Sequence, residues 1–446
     1  MFYAKQAFSG RFGFWAVLFA LLATLGACKR GEVVGQNPDS VLAFEICQEA
    51  LATLPDRGGY QGLDGWFYFN HDLWEAYPNL QETEFIVQMN DALATQGVAL
   101  VLVPLPGVGM SNPEFLHRDD PWQKAFSPTQ AQADYRAYVR TLREQGVEVV
   151  DALATMQAYS AAGGQTFFKR DVHWTPEGAN AVAQEIAESV RRAATVELPK
   201  RAFALTHTLP DAPFYGKHIN TWTKDHCGYR LPPEPLRTYA ITPFHEGETA
   251  AVVRAGSSFS VPPFDIGFLA VALQSPVFDA SIGGGGAIFP LETYLRNDLY
   301  NTRRPNVIVW EFPVSVQAII EPQKRRILAA VYGACGDDAR FQKTYAVEGD
   351  APISTDPVSV TSSEHYLSFS FSDLEIIQFD VTLRYDDLKA ETFSINHPET
   401  KTGVNQGRFF TTPQDASAVL ESVTLEPPAT ATGEVTVQVC RKPSAP

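Results

Sequence analysis

Hydrophobic and polar positions fall into two textures along the chain. In the first, continuous apolar runs alternate with helical periodicity. Residues 99–104 (Ala-Leu-Val-Leu-Val-Pro) form an unbroken apolar run, the pattern of a strand covered on both faces. Residues 85–96 ahead of it read as a helix. After a Pro/Gly-rich loop at 104–113, residues 128–145 carry Tyr135, Tyr138, Val139 and Leu142 at helical spacing and stop at Gly146. Residues 147–151 are the next strand. Thr175 and Pro176 provide a cap and a first helical position for a 178–193 helix with Ala181, Val182, Ile186 and Val190 on its apolar stripe. A 200–245 segment reads as a loop-rich insertion. It is followed by an apolar run at 251–255, an apolar helix at 264–273, a helical pattern at 291–300 and a strand at 307–310. Strand, helix and strand in alternation predict an α/β domain with a mostly parallel sheet.

From Gly336 onward the texture changes. Short strand-like runs at 358–360, 366–371, 376–383 and 435–439 are separated by turn residues, and helical periodicity disappears. A smaller all-β domain is expected there. Its aromatics Tyr366, Tyr385, Phe409 and Phe410 are candidates for an exposed binding face, whereas Phe369 and Phe379 read as core.

The amino terminus has Lys5 and Arg11, an apolar run from 12 to 25, and then Leu25-Gly26-Ala27-Cys28. A basic region, an apolar stretch too short for an ordinary spanning helix, and small residues before a cut read as an export signal. The cysteine after Gly26-Ala27 is a lipobox arrangement in which Cys28 is acylated and becomes the mature first residue. A plain secretion signal with a coincidental cysteine is the alternative. Lys29, rather than an aspartate, follows, as in lipoproteins sorted to the outer membrane. The segments expected are a lipoprotein signal at 1–27, a tether at 28–60, the α/β domain at 61–335 and the β module at 336–446.

A formal net charge of −16 argues against nucleic acid as a partner and gives no general attraction to a polyanion. An anionic polymer would need local cations; Arg303-Arg304 and Lys324-Arg325-Arg326 are the candidates. Besides Cys28, the cysteines are Cys47, Cys227, Cys335 and Cys440. An even number in an exported chain permits disulfides, with three pairings open. There is no Cys-x-x-Cys, and the histidines lack a ligand spacing, so no metal is expected. Gly283 to Gly286 lack the Lys-Ser/Thr ending of a phosphate loop and read as a surface loop.

The chemistry concentrates in two places. Gly256-Ser257-Ser258-Phe259-Ser260 follows an apolar strand, where a glycine turn would put hydroxyls at the open carboxyl edge of a sheet. Upstream, Asp171-Val172-His173 precedes the Thr175-Pro176 helix start; if extended, it would project both polar side chains to one side. A serine, a histidine and an aspartate are the residue types of serine-based acyl transfer.

The 168–179 segment, Phe-Lys-Arg-Asp-Val-His-Trp-Thr-Pro-Glu-Gly-Ala, resembles the Asp-x-His-Trp-Thr-Pro-x-Gly-Ala block of the alginate O-acetyltransferase family, the SGNH-hydrolase-like AlgX/AlgJ group. Gly256-Ser257-Ser258-Phe259-Ser260 resembles its Gly-Thr-Ser-Tyr-Ser block, Asp64-Gly65-Trp66-Phe67-Tyr68 its early block, and Trp310-Glu311-Phe312-Pro313 its late Trp-Glu-Phe-Pro. The resemblance implies an SGNH-hydrolase-like three-layer domain followed by a carbohydrate-binding-like β-sandwich. It implies Ser258 as nucleophile, His173 as base and Asp171 as its partner. It also implies disulfides Cys47–Cys227 and Cys335–Cys440. The implied activity is transfer of acetyl to hydroxyls of an alginate-like exopolysaccharide in the periplasm by a monomer. No cofactor is implied beyond an acetyl donor relayed by a membrane O-acyltransferase, and other exopolysaccharide biosynthesis and export proteins are the implied partners. A polysaccharide deacetylase would use the same residues, and a non-catalytic glycan-binding scaffold is the reading from another class. Every tryptophan lies at or before Trp310, whereas the family's β module uses one for glycan, which departs from the pattern.

Overall fold

The computed structural model describes residues 59–73, 78, 82–216, 223–227, 231–243, 251–316, 319–335, 339–396 and 406–443. Cys28, Cys47 and the side chain of Cys227 lie outside the described residues, and with them the lipid site and the Cys47–Cys227 pairing.

The strands up to residue 313 are β1 (Gly59–Gln61), β2 (Phe67–Phe69), β3 (Ala99–Leu105), β4 (Glu148–Val149), β5 (Ala204–Phe214), β6 (Glu234–Thr242), β7 (Val252–Ala255), β8 (Val277–Asp279) and β9 (Val307–Pro313). Five of them form one sheet in the order β4-β3-β9-β7-β8, parallel at every pairing. The apolar runs become its buried centre: β3, β7 and β9 are almost wholly buried. Helices Thr83–Thr95, Pro128–Glu144 and Pro176–Ala193 match the periodic segments and pack their apolar stripes into the same core. The chain runs outward from β3 to β4 and outward again from β7 to β8, and β9 is laid between. The carboxyl end of β9 is therefore where the connections diverge, the place at which α/β sheets commonly bind ligands.

Two helices were not legible as such, Ala152–Ala161 and Glu321–Tyr332. The 264–273 helix is shorter than its apolar stretch, starting at Phe268 because Asp265 accepts hydrogen bonds from the Gly267 and Phe268 amides. Within the 200–245 insertion, β5 and β6 form an antiparallel ribbon in place of a loop, exposed along most of its length, so it lacks the regular alternating apolar pattern by which a strand is recognised.

The carboxyl-terminal strands are β10 (Ala339–Glu348), β11 (Ile353–Ser354), β12 (Val360–Thr361), β13 (His365–Phe371), β14 (Gln378–Tyr385), β15 (Ala390–Asn396), β16 (Arg408–Thr411), β17 (Val419–Glu426) and β18 (Thr432–Arg441). They form two antiparallel sheets, β10-β18-β13-β16 and β11-β17-β14-β15, with β12 beside β17. Alternate residues such as Phe379, Val381, Leu383 and Val435, Val437, Val439 build a second core of their own. Cys335 and Cys440 are joined by a disulfide, Cα–Cα 5.4 Å.

Several expected binding residues are structural. Tyr366 and Tyr385 are each 3% exposed, and Phe409 and Phe410 are buried too, so none offers a ring to a sugar. The Tyr366 hydroxyl donates to the Gly333 carbonyl (3.0 Å), and that of Tyr385 to Glu391 (2.7 Å). The Lys324-Arg325-Arg326 run is likewise no open basic patch. It lies on the Glu321–Tyr332 helix, which packs against β16. Arg325 pairs with Glu391 and donates to the Thr412 carbonyl (3.0 Å), Arg326 pairs with Glu292 (2.9 Å), and Lys324 reaches Glu82 (3.0 Å). Buried guanidinium groups need such partners; Arg325 joins the β module to the α/β domain, while Arg326 is paired within the α/β domain. Arg303 and Arg304 are exposed but precede the amino end of β9, the opposite edge of the sheet from Ser258.

Candidate functional site

The site is built on the carboxyl ends of β7 and β9. After Ala255 the chain turns through Gly256 into a short 3-10 turn, Ser258–Ser260. A Cβ on Gly256 would lie 2.5 Å from Ser260 Oγ and 2.7 Å from Glu311 Oε2, so only glycine lets the turn sit against β9. Among the turn's three serines, Ser257 and Ser260 are buried and Ser258 is half-exposed. Ser257 Oγ donates to Glu311 Oε1 (2.9 Å) and Ser260 Oγ to Glu311 Oε2 (2.7 Å). Ser258 Oγ instead lies 2.9 Å from His173 Nε2.

His173 comes from a bent loop, not an extended one. Asp171 Oδ1 accepts from the His173 backbone amide (3.1 Å) and contacts its Nδ1 at 2.5 Å, an aspartate turn that brings the carboxylate under the ring. This fixes the proton on Nδ1 and leaves Nε2 as the acceptor facing Ser258. Asp171 is 2% exposed and the imidazole 13%. The loop is closed by the Phe168 amide on the His173 carbonyl (3.1 Å) and the Thr175 amide on the Thr166 carbonyl (2.9 Å). Thr175 then caps the helix, accepting from the Gly178 amide (3.0 Å), while its hydroxyl donates to the Gln165 carbonyl (2.6 Å). Trp174, fully buried, donates its indole N–H to the Phe259 carbonyl (2.8 Å) and ties the histidine loop to the serine turn directly. In Asp-x-His-Trp-Thr, His173 thus faces the Ser258 hydroxyl, Asp171 holds the ring from its other nitrogen, and Trp174 and Thr175 hold the loop.

Other groups complete the site that the sequence did not single out. Phe264 stacks on the His173 imidazole, centroids 4.0 Å apart and nearly parallel at 6°. Phe214 of β5 packs on Phe168 at 4.2 Å. Glu234 of β6 accepts from the Lys169 and Arg170 amides (2.9 and 3.1 Å), and burial pushes its carboxyl above the ordinary range, opposed by those amides. The ribbon that had no readable pattern therefore clamps the loop just ahead of Asp171. Asp72 is buried, its carboxyl raised by desolvation; it binds the Phe69 and Val108 amides (2.9 and 3.2 Å) and joins β2 to the loop after β3. Beneath the serine turn, Arg254 donates to the Ser260 carbonyl (2.8 Å), pairs with Asp279 (2.6 Å) and pairs with Asp265. Burial opposes its charge, but the two carboxylates outweigh that and raise its pKa. A charged residue inside each of the apolar runs 251–255 and 307–313 was the available signal for Arg254 and Glu311.

Among the described residues, no cluster of three His, Cys, Asp or Glu side chains could hold a metal ion. No helix among them is long and apolar enough to cross a membrane.

Comparison with known proteins agrees with this architecture. The probable alginate O-acetylase AlgJ of Pseudomonas syringae pv. tomato is 29% identical over 301 residues, 63% of this chain and 73% of that protein. The alginate biosynthesis protein AlgX of Pseudomonas putida is 25% identical over 388 residues, 80% of this chain and 78% of that one. The solved structure of Pseudomonas aeruginosa AlgX superposes with a TM-score of 0.72 at 20% identity, over 86% of this chain and 94% of the other, and so shares the fold. The O-acetyltransferase domain of Pseudomonas putida AlgJ gives a TM-score of 0.50 at 27% identity, over 58% and 91%. Residues 60–314, more than half of the chain, match the family described as "SGNH hydrolase-like domain, acetyltransferase AlgX", and the protein belongs to that family.

Proposed function

We propose that the protein is a serine-dependent O-acetyltransferase that acetylates hydroxyls of an anionic, alginate-like exopolysaccharide in the periplasm. The observation that carries the reading is the relay Ser258 Oγ, His173 Nε2, His173 Nδ1, Asp171 Oδ1, at 2.9 and 2.5 Å. In the first half-reaction His173 Nε2 takes the Ser258 proton as Oγ attacks the donor's acetyl carbon. The tetrahedral intermediate collapses with loss of the donor's oxygen, which receives the proton from the imidazolium, and acetyl-Ser258 remains. In the second, a sugar hydroxyl gives its proton to Nε2 and attacks the acetyl-serine; Ser258 leaves and is reprotonated. Asp171 holds the tautomer and stabilises the imidazolium in both.

The backbone suggests one oxyanion donor. In the turn, the Gly256 amide donates to Ser281 Oγ, Ser257 to Glu311, Phe259 to Ser257 Oγ and Ser260 to the Ser257 carbonyl. The Ser258 amide is left for a developing oxyanion. The acetyl group would come from a membrane O-acyltransferase, and the lipidated Cys28 would hold the enzyme at the outer membrane beside the export machinery.

The test incubates the protein with a chromogenic acetyl ester, with and without unacetylated oligomannuronate, and follows the active-site peptide and the sugar by mass spectrometry. Acetyl on Ser258 followed by acetylated sugar is expected. Ser258→Ala should abolish the acetyl-enzyme, and His173→Ala should slow its formation by roughly 10²–10⁴-fold. Acetate release alone under saturating acceptor would replace transfer by ester hydrolysis. Undiminished transfer by Ser258→Ala would remove the nucleophile assignment.

A further inference from the structure

We infer that Glu311 is a positioning residue for acyl transfer: it grips the residues on both sides of Ser258 and so sets the nucleophile's hydroxyl and amide against His173. The inference rests on the reading of Ser258 as nucleophile and goes beyond it, because Glu311 reaches the reacting atoms only through its neighbours.

Glu311 is 1% exposed in a parallel strand whose other members are nearly all apolar. A carboxylate there costs desolvation and must be held by donors. Among the described residues, its hydrogen-bond donors come from the serine turn: the Ser257 amide (2.9 Å), the Ser257 hydroxyl (2.9 Å) and the Ser260 hydroxyl (2.7 Å). Burial raises its pKa, opposed by these hydroxyls, the Ser257 amide and the charge of Arg254. The carboxyl thus holds the residue before Ser258 by two bonds and the second residue after it by one. By accepting the Ser257 proton it also leaves that oxygen's lone pair to the Phe259 amide (3.3 Å).

The rest of the turn is held from below. Arg254, braced by Asp265 and Asp279, carries the Ser260 carbonyl, and Ser281 carries the Gly256 amide (3.0 Å). Ser258 is thereby the residue of the turn whose amide and hydroxyl are spared from structural bonds. Without Glu311, the Ser257 amide and two hydroxyls lose their acceptor in a buried place, and the turn must rearrange to satisfy them. A shift of about 1 Å in the nucleophile costs roughly 100-fold in rate.

The test measures labelling of Ser258 by phenylmethanesulfonyl fluoride, in which Oγ bonds to sulfur as fluoride leaves, with thermal melting in parallel. Glu311→Ala should label about 100-fold more slowly at temperatures where it remains folded. With a chromogenic acetyl ester its kcat should fall while KM stays near the wild-type value. Glu311→Gln, whose amide oxygen can still accept from the Ser257 amide and Ser260 hydroxyl, should recover to within about fivefold. A purely structural Glu311 would change melting and leave the labelling rate of the folded protein alone.

If Glu311→Ala does not fold, Ser257→Ala decides: it keeps the carboxyl, removes one of its donors and should label about tenfold more slowly. Wild-type labelling rates in folded Glu311→Ala, or in Ser257→Ala where that variant must decide, would overturn the inference and leave Ser258 as nucleophile. So would a Glu311→Gln as slow as Glu311→Ala. Wild-type protein labelled elsewhere than Ser258 would overturn the nucleophile and the role of Glu311 together.

Discussion

Gly178 should be the most revealing single position outside the chemistry. It is the third residue of the Pro176–Ala193 helix, where alanine is intrinsically better than glycine by about 1 kcal/mol. On propensity alone Gly178→Ala would stabilise the protein. The structure says otherwise: a Cβ there would lie 2.4 Å from the Thr166 carbonyl oxygen and 3.0 Å from the Thr166 carbonyl carbon and Cα. Backbone must retreat by at least ~0.6 Å to reach the closest contact a real Cβ makes, an overpacking strain of about 1–3 kcal/mol. The net loss of stability is then between about zero and 2 kcal/mol. Activity should suffer far more. Thr166 and Thr175 are bonded to each other (2.9 Å), Thr175 caps Gly178 (3.0 Å), and His173 is two residues from Thr175. Displacing either side moves the imidazole from Ser258, and a misplacement near 1 Å costs roughly 100-fold. The assay is pre-steady-state acetylation of the enzyme by a chromogenic ester, with melting followed by circular dichroism. A variant that acylates within threefold of wild type would refute the claim that this close approach seats the histidine.

Two further outcomes follow from the same physical reasoning. Cys335 and Cys440 are 105 residues apart, so replacing Cys440 by Ser should release loop-closure entropy worth about 4–5 kcal/mol; hydrogen exchange should rise first in β10 and β18, while the ester assay of the α/β domain is largely retained. Cys28→Ser should move the protein from the membrane fraction to the soluble periplasm, since each buried acyl methylene contributes about 0.8 kcal/mol; mass spectrometry showing a mature chain that begins elsewhere without acyl mass would refute the anchor.

The local code was enough for most covered elements, though not for the helices Ala152–Ala161, whose buried face is short, and Glu321–Tyr332, whose buried face includes Arg325 and Arg326. The run at 99–104, the stripe of Tyr135, Tyr138, Val139 and Leu142, and the strand at 307–310 are covered by other elements, and a covered element must carry its pattern in its own residues. The Thr175 cap and the Gly256 turn were legible for a similar reason: each is a short-range hydrogen bond or steric need expressed within a few residues. The ribbon of β5 and β6 was not legible, because a mostly exposed two-stranded element touches the core at scattered residues such as Leu236 and Phe214 and carries no regular alternation. Tyr366, Tyr385 and the Lys324-Arg325-Arg326 run were misread for the complementary reason. Whether an aromatic or a guanidinium faces solvent or an interface depends on partners such as Glu292 and Glu391, which are remote in sequence.

Residue types and short spacings along the chain thus determined the alternating α/β domain, the β module behind it and the pair of segments that hold serine and histidine. Tertiary structure alone brought Ser258, 85 residues away, to His173. It also left Ser257 and Ser260 on Glu311 and closed the loop before Asp171 with Glu234. Those contacts join elements distant in the chain, and such distances are set by how whole elements pack, a quantity no local pattern contains.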